Sequence, residues 1–108
     1  MIRKMCRSKI KGLKITGLNL DDIGSIGIDG KILKEADIVE GEEIYVLNKA
    51  NGIRFETYVI PEEEGSKKVV LYGPSARLAE VGDEITILSW AFVSDGDVKE
   101  FKIKTVYV

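Results

Sequence analysis

A chain of 108 residues, 44% hydrophobic and 31% charged with a formal net charge of −2, has globular composition and enough length for one domain with a real core. Charges of both signs are interspersed, so no single-sign block is present to attract nucleic acid or an anionic membrane. The complete absence of histidine excludes Ser-His-Asp and Cys-His catalysis, zinc sites built on His and imidazole as general base, which leaves carboxylates, lysine, tyrosine, hydroxyls or a group made from the backbone itself.

In chain order, Ile2 to Ile15 interleaves the basic residues Arg3, Lys4, Arg7, Lys9, Lys11 and Lys14 with apolar ones and reads as a strand rather than as a nucleic-acid arm. Its Cys6 has no second cysteine to pair with and reads as a small buried side chain. No apolar stretch reaches signal-peptide or membrane-spanning length, so a cytoplasmic location is expected. Further strands are predicted at Ser25 to Asp29, Glu43 to Asn48, Arg54 to Ile60, Lys67 to Leu71, Glu84 to Phe92 and Val98 to Tyr107. Short helices are predicted at Lys31 to Ala36 and Ser75 to Glu80, each needing a sheet beneath it. Asp29-Gly30, Asn51-Gly52, Gly65-Ser66, Gly82-Asp83 and Asp95-Gly96 mark the turns. Glu62-Glu63-Glu64, between Pro61 and Gly65-Ser66, reads as a solvated loop. So many strands in a small chain must hide their edges by closing or by pairing with a neighbour, which predicts a mainly β fold, a small barrel that is oligomeric.

The junction Gly24-Ser25, inside Asp22-Ile23-Gly24-Ser25-Ile26, is a place where the backbone could become the reagent. A Gly-Ser pair is ordinarily only a turn. Glycine also admits a strained backbone, and the serine hydroxyl can attack the preceding carbonyl in an N→O acyl shift. The resulting ester would eliminate and hydrolyse, leaving a pyruvoyl group in place of Ser25.

Several blocks accompany that junction in order: Met1-Ile2-Arg3 with Met5, Ser8-Lys9-Ile10, Ile28-Asp29, Asn51-Gly52 with Arg54, Glu56-Thr57-Tyr58-Val59-Ile60, Gly65-Ser66, Gly73, Ala76-Arg77-Leu78 and Val81-Gly82-Asp83. Over nearly its whole length the chain resembles the pyruvoyl-dependent aspartate 1-decarboxylases. The resemblance implies a single double-psi β-barrel domain over residues 1–108 with one or two short helices, assembled as a homotetramer with the active site between subunits. It implies self-cleavage between Gly24 and Ser25, and a pyruvoyl cofactor, derived from Ser25, that forms a Schiff base with L-aspartate and accepts electrons as the α-carboxylate leaves. The product would be β-alanine, for pantothenate synthesis. No metal is called for, and whether a helper protein assists maturation stays open.

By the same resemblance Thr57 binds substrate and helps position groups during processing, while Tyr58 donates the proton to the decarboxylated carbon. Both are also ordinary strand residues that could simply pack. Arg54 suits a bidentate pair with a substrate carboxylate, against the plain alternative of an exposed strand arginine. Lys9 is a second cation, placed by strand alternation on the face of Arg7 and Lys11. Gly73, Pro74 and Ser75 would contact substrate through their backbone.

The departures crowd around the same place. Asp22 and Tyr72 stand where the family usually has tyrosine and asparagine; Pro74 and Ser75 replace alanines; Lys11 replaces a histidine. Tyr72 removes an amide able to hold a carbonyl, Pro74 removes a backbone donor, and Asp22 would repel a dicarboxylate if it faced the pocket. Alternatives therefore stay open: a pyruvoyl enzyme for another amino acid, or an uncleaved relative acting in binding or assembly.

Overall fold

Alternating β-branched runs separated by glycine turns pair into one mixed sheet. The computed structural model describes residues 1–108 and contains β1 (Ile2–Lys14), β2 (Gly17–Asn19), β3 (Ser25–Asp29), α1 (Gly30–Ala36), β4 (Glu43–Asn48), β5 (Arg54–Glu62), β6 (Val69–Tyr72), β7 (Glu84–Ser94) and β8 (Lys104–Tyr107). Tight 3₁₀ turns cover Gly73–Leu78 and Asp95–Glu100. The strand order is β2-β6-β3-β5-β4-β7-β1-β8, with parallel pairs β2/β6, β3/β5 and β1/β8 among antiparallel ones. The mainly β fold expected from the sequence is what forms, consistent with a double-psi barrel. No helix is long and apolar enough to cross a membrane.

The predicted bounds of β3 and β4 coincide with the observed ones, because turn residues bracket both runs. Two predicted elements need correction. The expected helix at Ser75 to Glu80 is instead the 3₁₀ turn at Gly73–Leu78, with Pro74 in its first turn, where a missing N–H costs nothing. The expected strand from Val98 is interrupted, since Ser94 Oγ donates to Asp97 Oδ2 at 2.9 Å and starts a turn through Glu100, leaving only Lys104–Tyr107 extended. The three-residue β2 is too short to carry a periodic signal.

The core is the inward set of alternating positions: Ile10, Ile26, Ile28, Ile44, Val46, Val59, Leu71 and Ile87 are wholly buried. Each such side chain contributes roughly 1.5–3 kcal/mol of transfer free energy, so their alternation is enough to choose which face of each strand turns inward. β1 keeps this alternation only in pieces. Cys6 pairs with Trp90 and Ser8 with Ser89, so Arg7 is an extra, bulged residue. Its guanidinium turns aside to the Asp37 carbonyl at 2.6 Å, Glu42 Oε2 at 2.5 Å and Ser89 Oγ at 2.6 Å. Arg7 therefore does not share the face of Lys9 and Lys11, contrary to simple alternation.

Asp29 ties the end of β3 to its surroundings. The carboxylate is buried and caps α1, with Oδ1 accepting from the N–H of Lys31 and of Gly65, and Oδ2 from that of Lys67, all at 2.9 Å. Burial by itself would raise its pKa, but the N–H groups of Lys67, Gly65 and Lys31 outweigh burial and hold it below the ordinary 3.8. The stability it contributes is present at pH above that ordinary value and is lost as pH falls through the lowered one. This anchor fixes the far end of the strand that opens with Ser25.

Candidate active site

Ser25 is the first residue of β3, buried, and paired with Tyr72 of β6. The preceding Gly24 has φ +140°, a conformation L side chains rarely adopt. Gly73 has φ +76°, and a Cβ there would fall 2.8 Å from the Asp22 carbonyl oxygen and from the Gly24 nitrogen. The backbone of residue 73 thus lies directly against residues 22–24, a cradle whose close approach only glycine permits. Pro74 and Ser75 continue from it, and Ser75 Oγ donates to the Tyr72 carbonyl at 3.1 Å. The candidate residues Gly24, Ser25, Gly73, Pro74 and Ser75 are brought together. Asp22 is exposed, and its Oδ1 accepts from the adjacent Ile23 N–H at 2.6 Å.

On the other side of β3 lies β5. Ile26 pairs with Val59, so Ser25 and Tyr58, each one residue earlier, stand level on neighbouring strands and on the same face. Tyr58 is 45% exposed, with Arg54 and Glu56 on its side of the strand; Thr57, opposite the buried Ile44, is turned inward. Tyr58 and Thr57 therefore flank the junction from opposite faces. Arg54 lines a groove of about 580 Å³ with Lys11, Leu47, Lys49 and Thr86. Lys9 is the outlier: it faces Leu88, which faces Tyr45, which faces Glu56. Three strand spacings, about 14 Å along the sheet, separate it from β5.

The structure also corrects the reading of the acidic run. Glu62 is not solvated loop but the end of β5, and its Oε2 accepts from the Tyr72 hydroxyl at 2.7 Å. The pair crosses over β3 at Gly27, where a Cβ would sit 1.9 Å from that Oε2. A glycine between two isoleucines inside a strand was the available signal, since it marks close approach of another group. The hydrogen bond to Glu62, then burial, then the charges of Glu62 and Asp22 push the Tyr72 phenol up to about 12. The folded pKa is raised, so this stabilisation is complete below the ordinary value of 10.0 and disappears as pH climbs from there towards about 12. In an alkaline titration followed by tyrosinate absorbance, Tyr72 should ionise late, near about 12. Glu62→Gln should bring it back towards the ordinary 10.0, and Tyr72→Phe should delete that late component.

The Gly24-Ser25 junction lies level with Thr57 and Tyr58 on the neighbouring strand in a chain without histidine, so chemistry there falls to hydroxyls, carboxylates or the backbone itself. The family model described as aspartate decarboxylase matches residues 1–108, and the chain belongs to that family. It is 49% identical over 106 residues to an aspartate 1-decarboxylase of Kosmotoga olearia, covering 98% of this chain and 92% of the relative. It is 42% identical over 108 residues to one of Desulfitobacterium hafniense, covering 100% and 85%. To one of Staphylococcus aureus it is 44% identical over 99 residues, covering 92% and 78%.

Proposed function

We propose that this protein is an aspartate 1-decarboxylase, a carbon-carbon lyase that converts L-aspartate to β-alanine and CO₂ and so supplies pantothenate biosynthesis. The observation that carries the reading is that the family match spans the whole chain and so includes Gly24-Ser25. Residues 1–108 act as a single domain that cleaves itself between these two residues. Ser25 Oγ attacks the Gly24 carbonyl carbon and the C–N bond breaks as the ester forms. Elimination frees Gly24 as a new carboxyl terminus, and hydrolysis of the remaining dehydroalanine releases ammonia and leaves the pyruvoyl group. The close approach of Gly73 to residues 22–24 holds the backbone on the Gly24 side of the junction, and the group itself would sit at the start of β3, where Ser25 is. Its carbonyl supplies the electron sink for decarboxylation, which suits a chain without histidine.

The chain's own residues do the rest. Tyr58, exposed and level with Ser25, delivers the proton to the carbon that loses CO₂. Thr57 holds the processing groups from the inner face, while the backbone of Gly73, Pro74 and Ser75 borders the substrate. Arg54 and Lys9 take substrate carboxylates. Lys9 lies four strand spacings along the sheet from Ser25 of its own chain. That separation supports a homotetramer in which neighbouring copies complete each site, working in the cytoplasm.

The test is the intact mass of the purified protein under denaturing conditions, fresh and after warming, followed by an assay for β-alanine. A fragment ending at Gly24 and a second beginning with the pyruvoyl form of Ser25 are expected, with β-alanine made from L-aspartate. A single unbroken chain that persists through incubation overturns the self-processing reading.

A further inference from the structure

An arginine that is to receive a carboxylate needs its guanidinium held without being neutralised. None of the ion pairs in the protein uses Arg54. Its Cζ instead lies 4.9 Å from the centre of the Tyr45 ring. The β4/β5 register explains the contact: Leu47 faces Arg54 and Tyr45 faces Glu56, so Tyr45 is the diagonal neighbour of Arg54 on the same face. Tyr45 is itself fixed, its ring meeting that of Trp90 edge-on at 5.3 Å and 78°. Lys4 Nζ lies 5.6 Å from the Tyr45 ring centre and 5.2 Å from that of Trp90. The groove lined by Arg54 also holds Lys11 and Lys49 against one carboxylate, Glu84, so its charge has the sign a dicarboxylate requires.

We infer that Tyr45 is a positioning residue, holding Arg54 over its ring so that the guanidinium is ready for a carboxylate of the substrate. The inference rests on the reading of Arg54 as carboxylate partner given above. The physical basis is that a ring attracts a guanidinium through its quadrupole while leaving the N–H groups free to donate, and that a side chain already held loses less freedom on binding. Such a contact sets affinity for the dicarboxylate and leaves proton delivery to others, so it acts on KM rather than on kcat.

Two measurements test it. In steady-state assays with L-aspartate, Tyr45→Leu should raise KM about two- to fivefold, the range of one partly exposed cation–π contact, with a smaller change in kcat. Tyr45→Phe, which keeps the ring, should restore the KM. Calorimetric titration of the Ser25→Ala protein with succinate, a dicarboxylate without the amine, should give the same order of affinities and needs no turnover. Arg54→Gln should weaken both readouts more than Tyr45→Leu. If Arg54→Gln weakens both and Tyr45→Leu weakens neither, the role of Tyr45 is overturned and that of Arg54 stands. If neither substitution has an effect, or if succinate fails to bind at all, the carboxylate site at Arg54 falls and the inference falls with it. If kcat drops with KM in Tyr45→Leu and the phenylalanine variant does not restore them, Tyr45 is packing and the inference is overturned.

Discussion

Ser25→Ala leaves the chain in one piece and without decarboxylase activity. The substitution removes the only atom that can attack the Gly24 carbonyl, so neither the ester nor the pyruvoyl group can form. Turnover of L-aspartate should fall by on the order of 10⁶-fold or more, to the uncatalysed level, because the whole rate enhancement depends on that group. The fold should be unaffected. Ser25 is buried at the start of β3, alanine fits the space without overlap, and the pairing with Tyr72 runs through the backbone. Intact mass, β-alanine formation and urea unfolding measured on the same preparation check the three parts. An unchanged assay alongside an unbroken chain would exclude a Ser25-derived carbonyl as the reactive group.

Gly73→Ala is expected to disable processing by a different route, through the backbone. Its Cβ would meet the Asp22 carbonyl oxygen and the Gly24 nitrogen at 2.8 Å and the Gly24 Cα at 2.9 Å, none of which is the far end of a flexible side chain. The position also has φ +76°, so the new side chain adds strain of its own. Residues 22–24 must move away, at a cost of about 3 kcal/mol in stability from overlap and strain together. The displaced segment carries the carbonyl that Ser25 must reach, and a misplacement of about 1 Å can cost on the order of 10²-fold in rate. Cleavage followed by mass against time, with unfolding measured on the same samples, separates the two effects. Because Tyr72 precedes Gly73 and pairs with Ser25, Tyr72→Phe is the comparison: it removes the bond to Glu62 but leaves the cradle open.

Much of the architecture was legible because it depends on short-range chemistry. Ser25–Asp29 and Glu43–Asn48 are bracketed by turn residues, and the inward positions of the second follow from a period of two, whereas the first is buried throughout. The junction was singled out because glycine before serine admits a chemical reading as well as a structural one. Other features were hidden. Glu62 looked like part of a charged loop because its partner, Tyr72, is ten residues away in sequence and on another strand. Arg7 looked like a neighbour of Lys9 because a bulge leaves no mark in the alternation of residue types. Lys9 and Arg54 both read as substrate cations, and nothing local says that three strand spacings lie between their strands.

The amino-acid sequence by itself determined that the chain is mainly β and that histidine chemistry is absent, which are matters of residue identity and local spacing; its resemblance to the aspartate decarboxylases singled out Gly24-Ser25, Thr57, Tyr58 and Gly73 as candidates. Only the tertiary structure decided that Gly73 lies against residues 22–24, that Glu62 bonds Tyr72 across Gly27, that Tyr45 lies beside Arg54, and that Lys9 is remote from Ser25 along the sheet. Strand order and register set those distances. They are selected by burying the core isoleucines, valines and leucines at once, a sum over the whole chain that no short segment contains.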